Sequence, residues 1–358
     1  MFEKKFLTQD GRFISAVCYG TQDFSSATLK IVCLHGWLDN ASTFDLLIPN
    51  LIKNLSTTTG NSVKDEKDVS IICFDIAGHG CSEHREDHVY NFVEHVGDLY
   101  FILSKELKWE KYILLGHSLG SHICSIIAGT FPKQCEKLVL IEGIGPWTPP
   151  ASDAVSTLRR SLLKKRSLEK DKRIFQTIED AAKRRAEGNV INKLPIEAAR
   201  ILCRRGLKKN GDGYSWASDG GCLVPSKSRF TEAQVFSFLS NIQSKTLLIL
   251  VNDGLFHKRF PSIVFLFGKP FSFLGSIWVE FLYYLYKYIF MPVISIFIDT
   301  KKLKMLEMGL WYVKNFKSKV RSVDTTIMKI EYLEEGGHHP HLTKPKEVSN
   351  MITSFLST

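Results

Sequence analysis

The sequence predicts an α/β protein: a mostly parallel central sheet with helices on both faces and an inserted helical lid. Three observations lead there. Short apolar runs alternate with helical patterns through the first 145 residues; a basic, proline-led helical segment then breaks the rhythm; strand-like runs resume at 245 and give way to a last helical pattern. With 358 residues, 44% hydrophobic and 23% charged, the chain can bury one sizeable core, so one domain with insertions fits better than two independent ones. So ordinary a composition signals neither a fibre nor a disordered chain.

Residues 30–34, 69–74, 112–115 and 138–141 are short and aliphatic, without polar alternation. A strand with one wet face alternates, whereas a strand covered on both faces does not, so these read as buried parallel strands. Helical spacing over 88–107 and 119–131 fills the gaps, giving a core over residues 1–145. Residues 146–240 form the predicted basic lid. It opens with Pro146, Pro149 and Pro150, has helical patterns at 153–187 and 195–206, and contains a glycine-rich stretch from Gly211 to Gly221. A core strand follows within 241–254, at 245–251. Residues 326–358 complete the core with a strand at 326–332 and a helix at 345–356.

Charge is unevenly placed. The net charge is +10, and residues 151–210 alone, with 17 Lys/Arg against 7 Asp/Glu, account for it. Such a segment attracts acidic substrates, anionic lipid or nucleic acid. A solvated helix face is the commoner cause of a charge run, and no nucleic-acid partner is expected. Residues 255–325 read as an apolar insertion. Its stretch 260–298 is dense in Phe, Ile, Leu, Tyr and Val, interrupted by Lys269, Glu280 and Lys287. The uncharged runs, 270–279 and 288–298, fall short of the ~20 residues a spanning helix needs. Peripheral membrane contact or packing on the lid is expected of it instead. Eight cysteines without paired spacing, and a start (Met1-Phe2-Glu3-Lys4-Lys5) without an apolar run, point to a reducing, cytoplasmic setting without disulfides.

Gly116-His117-Ser118-Leu119-Gly120 stands between the strand 112–115 and the helix 119–131. Its two glycines permit the sharp turn that lifts a serine above the top of a sheet. A serine hydroxyl needs a base to take its proton. Gly336-Gly337-His338-His339-Pro340-His341 follows the last strand, and His338 is the candidate. His339 and His341 are expected to pack or cap that loop. No metal is expected, because no clustered partner ligands occur elsewhere. The oxyanion donors are the backbone amides of Leu119, after the nucleophile, and of Trp37, on the loop after an early strand. His35, Gly36 and His117, beside these amides, are the candidate substrate contacts; Gly36 suits a loop that approaches substrate closely. Two carboxylates end strands after the nucleophile: Glu142, preferred as the acid that orients the histidine, and Asp253, the alternative. Asp75 also ends a strand but precedes the nucleophile, and is expected to fix its own turn.

These residues resemble the α/β-hydrolase superfamily and, more narrowly, its serine hydrolase-like proteins. The narrower likeness rests on Leu34-His35-Gly36-Trp37-Leu38-Asp39, Asp75 to Ser82, Gly116 to Gly120 and Ile141-Glu142-Gly143-Ile144-Gly145-Pro146. It continues with Glu179-Asp180-Ala181 and the stretch from Arg205 to Asp219, and ends with Gly336 to Leu342. It covers most of residues 1–254 and 326–358. Haloalkane dehalogenases and epoxide hydrolases, sister families with a similar core, need an aspartate nucleophile, so Ser118 disfavours both chemistries. Some dehalogenase-like enzymes place their acid where Glu142 stands, which the resemblance counts in its favour. The usual Gly-x-x-Asp ending of the later strand is replaced by Val251-Asn252-Asp253-Gly254: the usual acid position holds Gly254, with Asp253 one residue early. Residues 255–325 align with nothing in the family.

The expected reaction is acyl transfer to water. Ser118 attacks a carboxylic ester or similar small acyl substrate, His338 takes its proton, and water clears the acyl-enzyme without a cofactor. Two readings stand beside it. One is a membrane-associated lipid hydrolase or acyltransferase, suggested by 260–298. The other is a catalytically inactive relative serving as a binding protein.

Overall fold

The aliphatic runs line up in one eight-stranded sheet in the computed structural model, which describes residues 1–57, 66–165, 173–188, 193–255, 318–319, 322–324 and 326–358. In chain order the strands are β1 (Phe2–Leu7), β2 (Phe13–Gly20), β3 (Leu29–Leu34), β4 (Val69–Phe74), β5 (Tyr112–His117) and β6 (Cys135–Ile141). A separate hairpin, β7 (Leu207–Asn210) and β8 (Gly213–Trp216), precedes β9 (Lys245–Val251) and β10 (Met328–Leu333). The order across the sheet is β1-β2-β4-β3-β5-β6-β9-β10. Strand β2 pairs antiparallel with β1 and β4, and every other neighbour in this sheet is parallel.

Among the described residues the longer helices are α1 (Leu47–Thr57), α2 (Phe92–Phe101), α3 (Leu119–Thr130), α4 (Ala154–Lys165), α5 (Ile178–Glu187), α6 (Ile196–Gly206), α7 (Glu232–Ser240) and α8 (Pro345–Leu356). They explain why the central strands carry no polar alternation. Ile31 and Cys33 of β3 join one core with Leu47 and Leu51 of α1 and Val348 and Ile352 of α8. Val32 and Leu34, pointing the other way, join a second core with Leu99 of α2, Ile127 of α3 and Leu239 of α7. Both faces are therefore dry, and each strand position adds to one core or the other.

Several elements differ from the sequence expectation. The helix expected over 88–107 begins at Phe92, because the Asn91 side chain accepts the Glu94 amide and caps it there. The pattern at 153–187 is broken into α4 and α5. The latter starts at a capping box in which Thr177 and Asp180 satisfy each other's backbone amides. Helix α7, assigned to the lid by its sequence position, packs on α3 with Val235 and Leu239 fully buried, so it belongs to the main core. The glycine-rich stretch holds the turn of the β7–β8 hairpin and β8. The apolar stretch 260–298 lies outside the described residues. Just beyond it, Val323 is buried in the core, and the buried Lys319 ammonium donates to the carbonyls of Gly145 and Pro146. Among the described residues, no helix is long and apolar enough to cross a membrane.

The basic segment is partly inward-facing. Arg205 of α6 is buried and donates to Asp75 at 2.7 Å and to Glu3 at 2.6 Å. Asp75 also accepts the Ala41 amide at 2.7 Å and the Cys81 amide at 2.8 Å, so one carboxylate joins β4, two loops and α6. Its role extends beyond its own turn. Removing one partner of a buried ion pair strands the other's charge. Arg205→Met is therefore expected to lower unfolding free energy by about 3–5 kcal/mol, measured by urea denaturation. A loss within error of zero would mean that Asp75 is satisfied without Arg205.

Candidate active site

Four neighbouring central strands deliver the candidate residues at one end of the sheet. Strand β5 ends at His117, and Ser118 follows with φ +50° and ψ −111°, before α3 begins at Leu119. Positive φ is costly for a serine and persists only where surrounding packing fixes it. Here two close approaches do so. A Cβ at Gly116 would lie 2.5 Å from Gly120, and one at Gly120 would lie 2.0 Å from the Leu34 carbonyl oxygen of β3. The Ser118 amide donates to Ile141 O at 2.9 Å, tying the turn to β6, while the residue itself stays half-buried.

His338 reaches the serine from the loop after β10. Its Nε2 lies 3.0 Å from Ser118 Oγ and its Nδ1 3.3 Å from Glu142 Oε2. A carboxylate only accepts, so Nδ1 carries the proton and Nε2 is left to accept from the serine hydroxyl. The carboxylate facing the ring is thus that of Glu142, at the end of β6. Asp253 does something else: its Oδ1 accepts the Gly337 amide at 2.8 Å and fixes the backbone just before His338. Glu142 is itself held by the Val251 amide at 2.8 Å and the Leu255 amide at 3.0 Å. A Cβ on Gly254 would come within 2.4 Å of Glu142 Oε2. The Glu142 carboxylate therefore occupies the space that a side chain at 254 would need.

The expected substrate contacts need correction. His35 and His117 are fully buried. The Nε2 of His35 accepts the Ile76 amide at 2.9 Å, its Nδ1–H donates to Gly36 O at 2.7 Å, and His117 Nε2–H donates to His338 O at 2.7 Å. Both rings hold backbone in place and neither faces an open site. Gly36 packs against His117, where an added Cβ would sit 2.8 Å from that ring. Of the oxyanion candidates, the Leu119 amide opens α3. Trp37 lies on the loop after β3 with its ring half exposed and its Nε1–H donating to Cys222 O at 2.9 Å.

Sequence reasoning assigned no role to Asp39, which the structure places at the centre of a buried cluster. Its Oδ2 accepts from His339 Nε2 at 2.9 Å and its Oδ1 accepts from Arg185 Nη2 at 2.7 Å. Burial alone would raise this carboxyl, but His339 and Arg185 more than offset that and hold it well below the usual range. Burial keeps His339 below the ordinary imidazole value and His117 and His341 well below it, so these rings are neutral. His341 bonds Thr43 Oγ1 at 2.8 Å and packs on Phe44. Asp39, His117 and His339 bring one possible ligand atom each within 4.8 Å of one another, the spacing of a metal site. Arg185 already neutralises the carboxylate and a His339 proton occupies the line between two of these atoms, so the donor set fits an ion-pair network better than a cation.

The fold is that of the α/β hydrolases, and residues 31–169 match the family model of the α/β hydrolase fold. The chain is similar to a serine hydrolase-like protein of Danio rerio, 25% identical over 333 residues, covering 91% of this chain and 81% of the relative. Human serine hydrolase-like protein 2 is 25% identical over 337 residues, covering 91% of this chain and 86% of its own. The crystal structure of a hypothetical protein from Pseudomonas aeruginosa shares the fold, with a TM-score of 0.71, 24% identity and full coverage of both chains.

The two carboxylates can be separated by substitution. Glu142→Gln is expected to cut any hydrolysis that runs through Ser118 by about 10⁴-fold, since the wrong tautomer of His338 is then favoured, and Asp253→Asn by far less. The Glu142→Gly, Gly254→Asp double variant moves the carboxylate to the neighbouring strand end and should regain part of the loss. Measured kcat/KM values with Asp253→Asn the weaker enzyme would reverse the assignment.

Proposed function

We propose that the protein is a serine hydrolase that cleaves a carboxylic ester or related acyl substrate through an acyl-enzyme on Ser118. The observation that carries this reading is the continuous chain Ser118–His338–Glu142, at 3.0 and 3.3 Å, on a strained turn at the start of α3. In this mechanism Ser118 Oγ forms a bond to the substrate carbonyl carbon as its proton passes to His338 Nε2. The amides of Leu119 and Trp37 stabilise the resulting oxyanion. His338 then returns the proton to the leaving alcohol, whose bond to carbon breaks. Water repeats the sequence and releases the acid.

Ser118→Ala and His338→Ala are each expected to lower hydrolysis by about 10⁴-fold or more while leaving the thermal midpoint near that of the parent, because members of such a unit fail together. A fluorophosphonate probe should label Ser118 in the parent protein alone. Folded parent protein that neither labels nor hydrolyses any ester of a chain-length panel would instead support the inactive, ligand-binding reading.

A second reading, a lipid hydrolase or acyltransferase at a membrane surface, draws on α4. That helix exposes Val155, Leu158, Leu162 and Leu163 beside Arg159 and Arg160, a combination suited to an anionic bilayer surface. Together with residues 260–298, it supports peripheral contact. In liposome flotation with neutral and anionic lipid, the full chain is then expected to float with anionic vesicles, and a version lacking 255–325 to float less. Flotation by neither would remove the membrane reading.

A further inference from the structure

Hydrogen bonds at Nδ1 and Nε2 fix the His338 ring only if the backbone carrying it is already placed. That backbone is a loop preceded by two glycines in positive φ, Gly336 and Gly337, and so has little rigidity of its own. Thr343 Oγ1 donates to the Gly336 carbonyl at 2.7 Å, and three further side chains hold the loop around His338 itself. Asp253 accepts the Gly337 amide, His117 donates to the His338 carbonyl, and Asp39 accepts from the side chain of the next residue, His339. The third of these reaches outside the core, because the other Asp39 oxygen is held by Arg185 of helix α5.

We infer that Asp39 and Arg185 are positioning residues for His338, coupling the seat of the lid helices to the placement of the base; this rests on the hydrolase reading above. The charges around Asp39 make Arg185 decisive. The carboxylate side chain is 1% exposed and cannot lean on water. His339 from the histidine loop spends its Nε2 proton on Asp39, which leaves its Nδ1 a bare acceptor without a partner. His117 from β5 spends its Nε2 proton on His338 O, and its partnerless Nδ1 faces Asp39 at 3.8 Å as a second bare acceptor. The remaining titratable rings that feel this carboxylate, His35, His79 and His341, are buried and held below their ordinary value. Arg185 is the group among these that brings a full positive charge and a direct hydrogen bond.

Arg185 is placed by its own small core. Ala181 and Ala182 of α5 pack on Ala199 and Cys203 of α6, and Arg200 grips both oxygens of Glu179, at 2.8 and 2.9 Å, across the two helices. That pair is seated on the 39–40 loop twice, through Arg185 and through Asn40 Nδ2 donating to Leu202 O at 2.9 Å. If α5 leaves its seat, Asp39 must take a proton or draw away from His339. Either change loosens the loop behind His338.

The test compares Arg185→Met, Arg185→Lys and Asp39→Asn with the parent. Readouts are kcat and KM on a short-chain ester, fluorophosphonate labelling rate, and the ¹⁵N resonances of the His338 ring. Arg185→Met is expected to lower kcat and labelling rate by about 10- to 100-fold, the scale of an ångström-sized misplacement, with KM little changed. The His338 resonances should shift toward a mixture of tautomers, and Arg185→Lys should restore most of both signals. If Asp39→Asn fails to fold, Arg185→Met alone decides, since its side chain lies at the edge of the cluster. Parent-like kcat and His338 resonances in Arg185→Met would overturn the inference, as would equal losses in the Met and Lys variants. A parent protein that shows no labelling and no hydrolysis would count against the hydrolase reading, while the His338 resonances would still decide the positioning claim.

Discussion

The closeness of α3 to β3 and β5 is the constraint on which the rest of the site depends. Glycine at 120 lets the helix start against the Leu34 carbonyl, and glycine at 116 lets the strand pass beneath it. With both contacts made, the chain has one way to connect strand to helix, and Ser118 takes the backbone angles that this path leaves. The cost of a left-handed serine is met by these close contacts and by the Ser118 amide bond to the Ile141 carbonyl. Because β3, β5, β6 and β9 are neighbours in that order, Trp37, Ser118, Glu142 and Asp253 emerge side by side although more than 200 residues separate the first from the last. Ligands of open parallel sheets bind beyond such strand ends for the same geometrical reason.

Space, more than sequence position, decides which carboxylate faces the histidine. Strands β6 and β9 are adjacent, so an acid at the end of either can point at a ring lying above both. The two cannot share one volume. Glu142 fills it, anchored by amides on the β9 side, and position 254 is left without a side chain. Asp253, one residue early, is turned toward the Gly337 amide. The departure from the usual strand ending and the carboxylate at the end of the preceding strand are thus two sides of one exchange.

Much of this was legible in the sequence, and the exceptions have physical causes. Most of the six parallel strands were readable because burial on both faces leaves them continuous aliphatic runs, as at Ile31–Leu34 and Leu138–Ile141; β10, with Lys329 and Glu331, is the least covered. The β1–β2 hairpin was not readable, since Lys4, Lys5, Ser15 and Ala16 give it neither a continuous apolar run nor a clear helical period. The glycine-flanked serine and the late histidine could be found because each needs a local backbone device that leaves a mark in the sequence. His35 and His117 differ from expectation for the opposite reason: adjacency along the chain was taken for adjacency to substrate, whereas both rings turn into the protein and bond backbone groups there. Asp39 and Arg185 leave no such mark. Arg185 is one of 17 basic residues in its segment, and only the folded chain shows that it, like Arg205, turns inward.

The ring cluster also bears on where a proton rests during the proposed reaction. His338 lies among three other imidazoles, with ring centroids 4.9 Å from His117 and 5.2 Å from His339, and His341 just beyond. Four adjacent bases invite the proton taken from Ser118 to wander, which would leave the leaving group without its acid. Burial prevents this. It holds His117, His339 and His341 below the ordinary imidazole value, because charging any of them means placing a cation where water cannot reach. The protons of His117 and His339 are already committed, to His338 O and Asp39, and His341 is bonded to the Thr43 hydroxyl. His338 differs in having the Glu142 carboxylate at its Nδ1 and the serine at its Nε2. The neighbouring histidines can therefore act as rigid, neutral walls, and the positive charge of the intermediate is confined to the ring that must give the proton back.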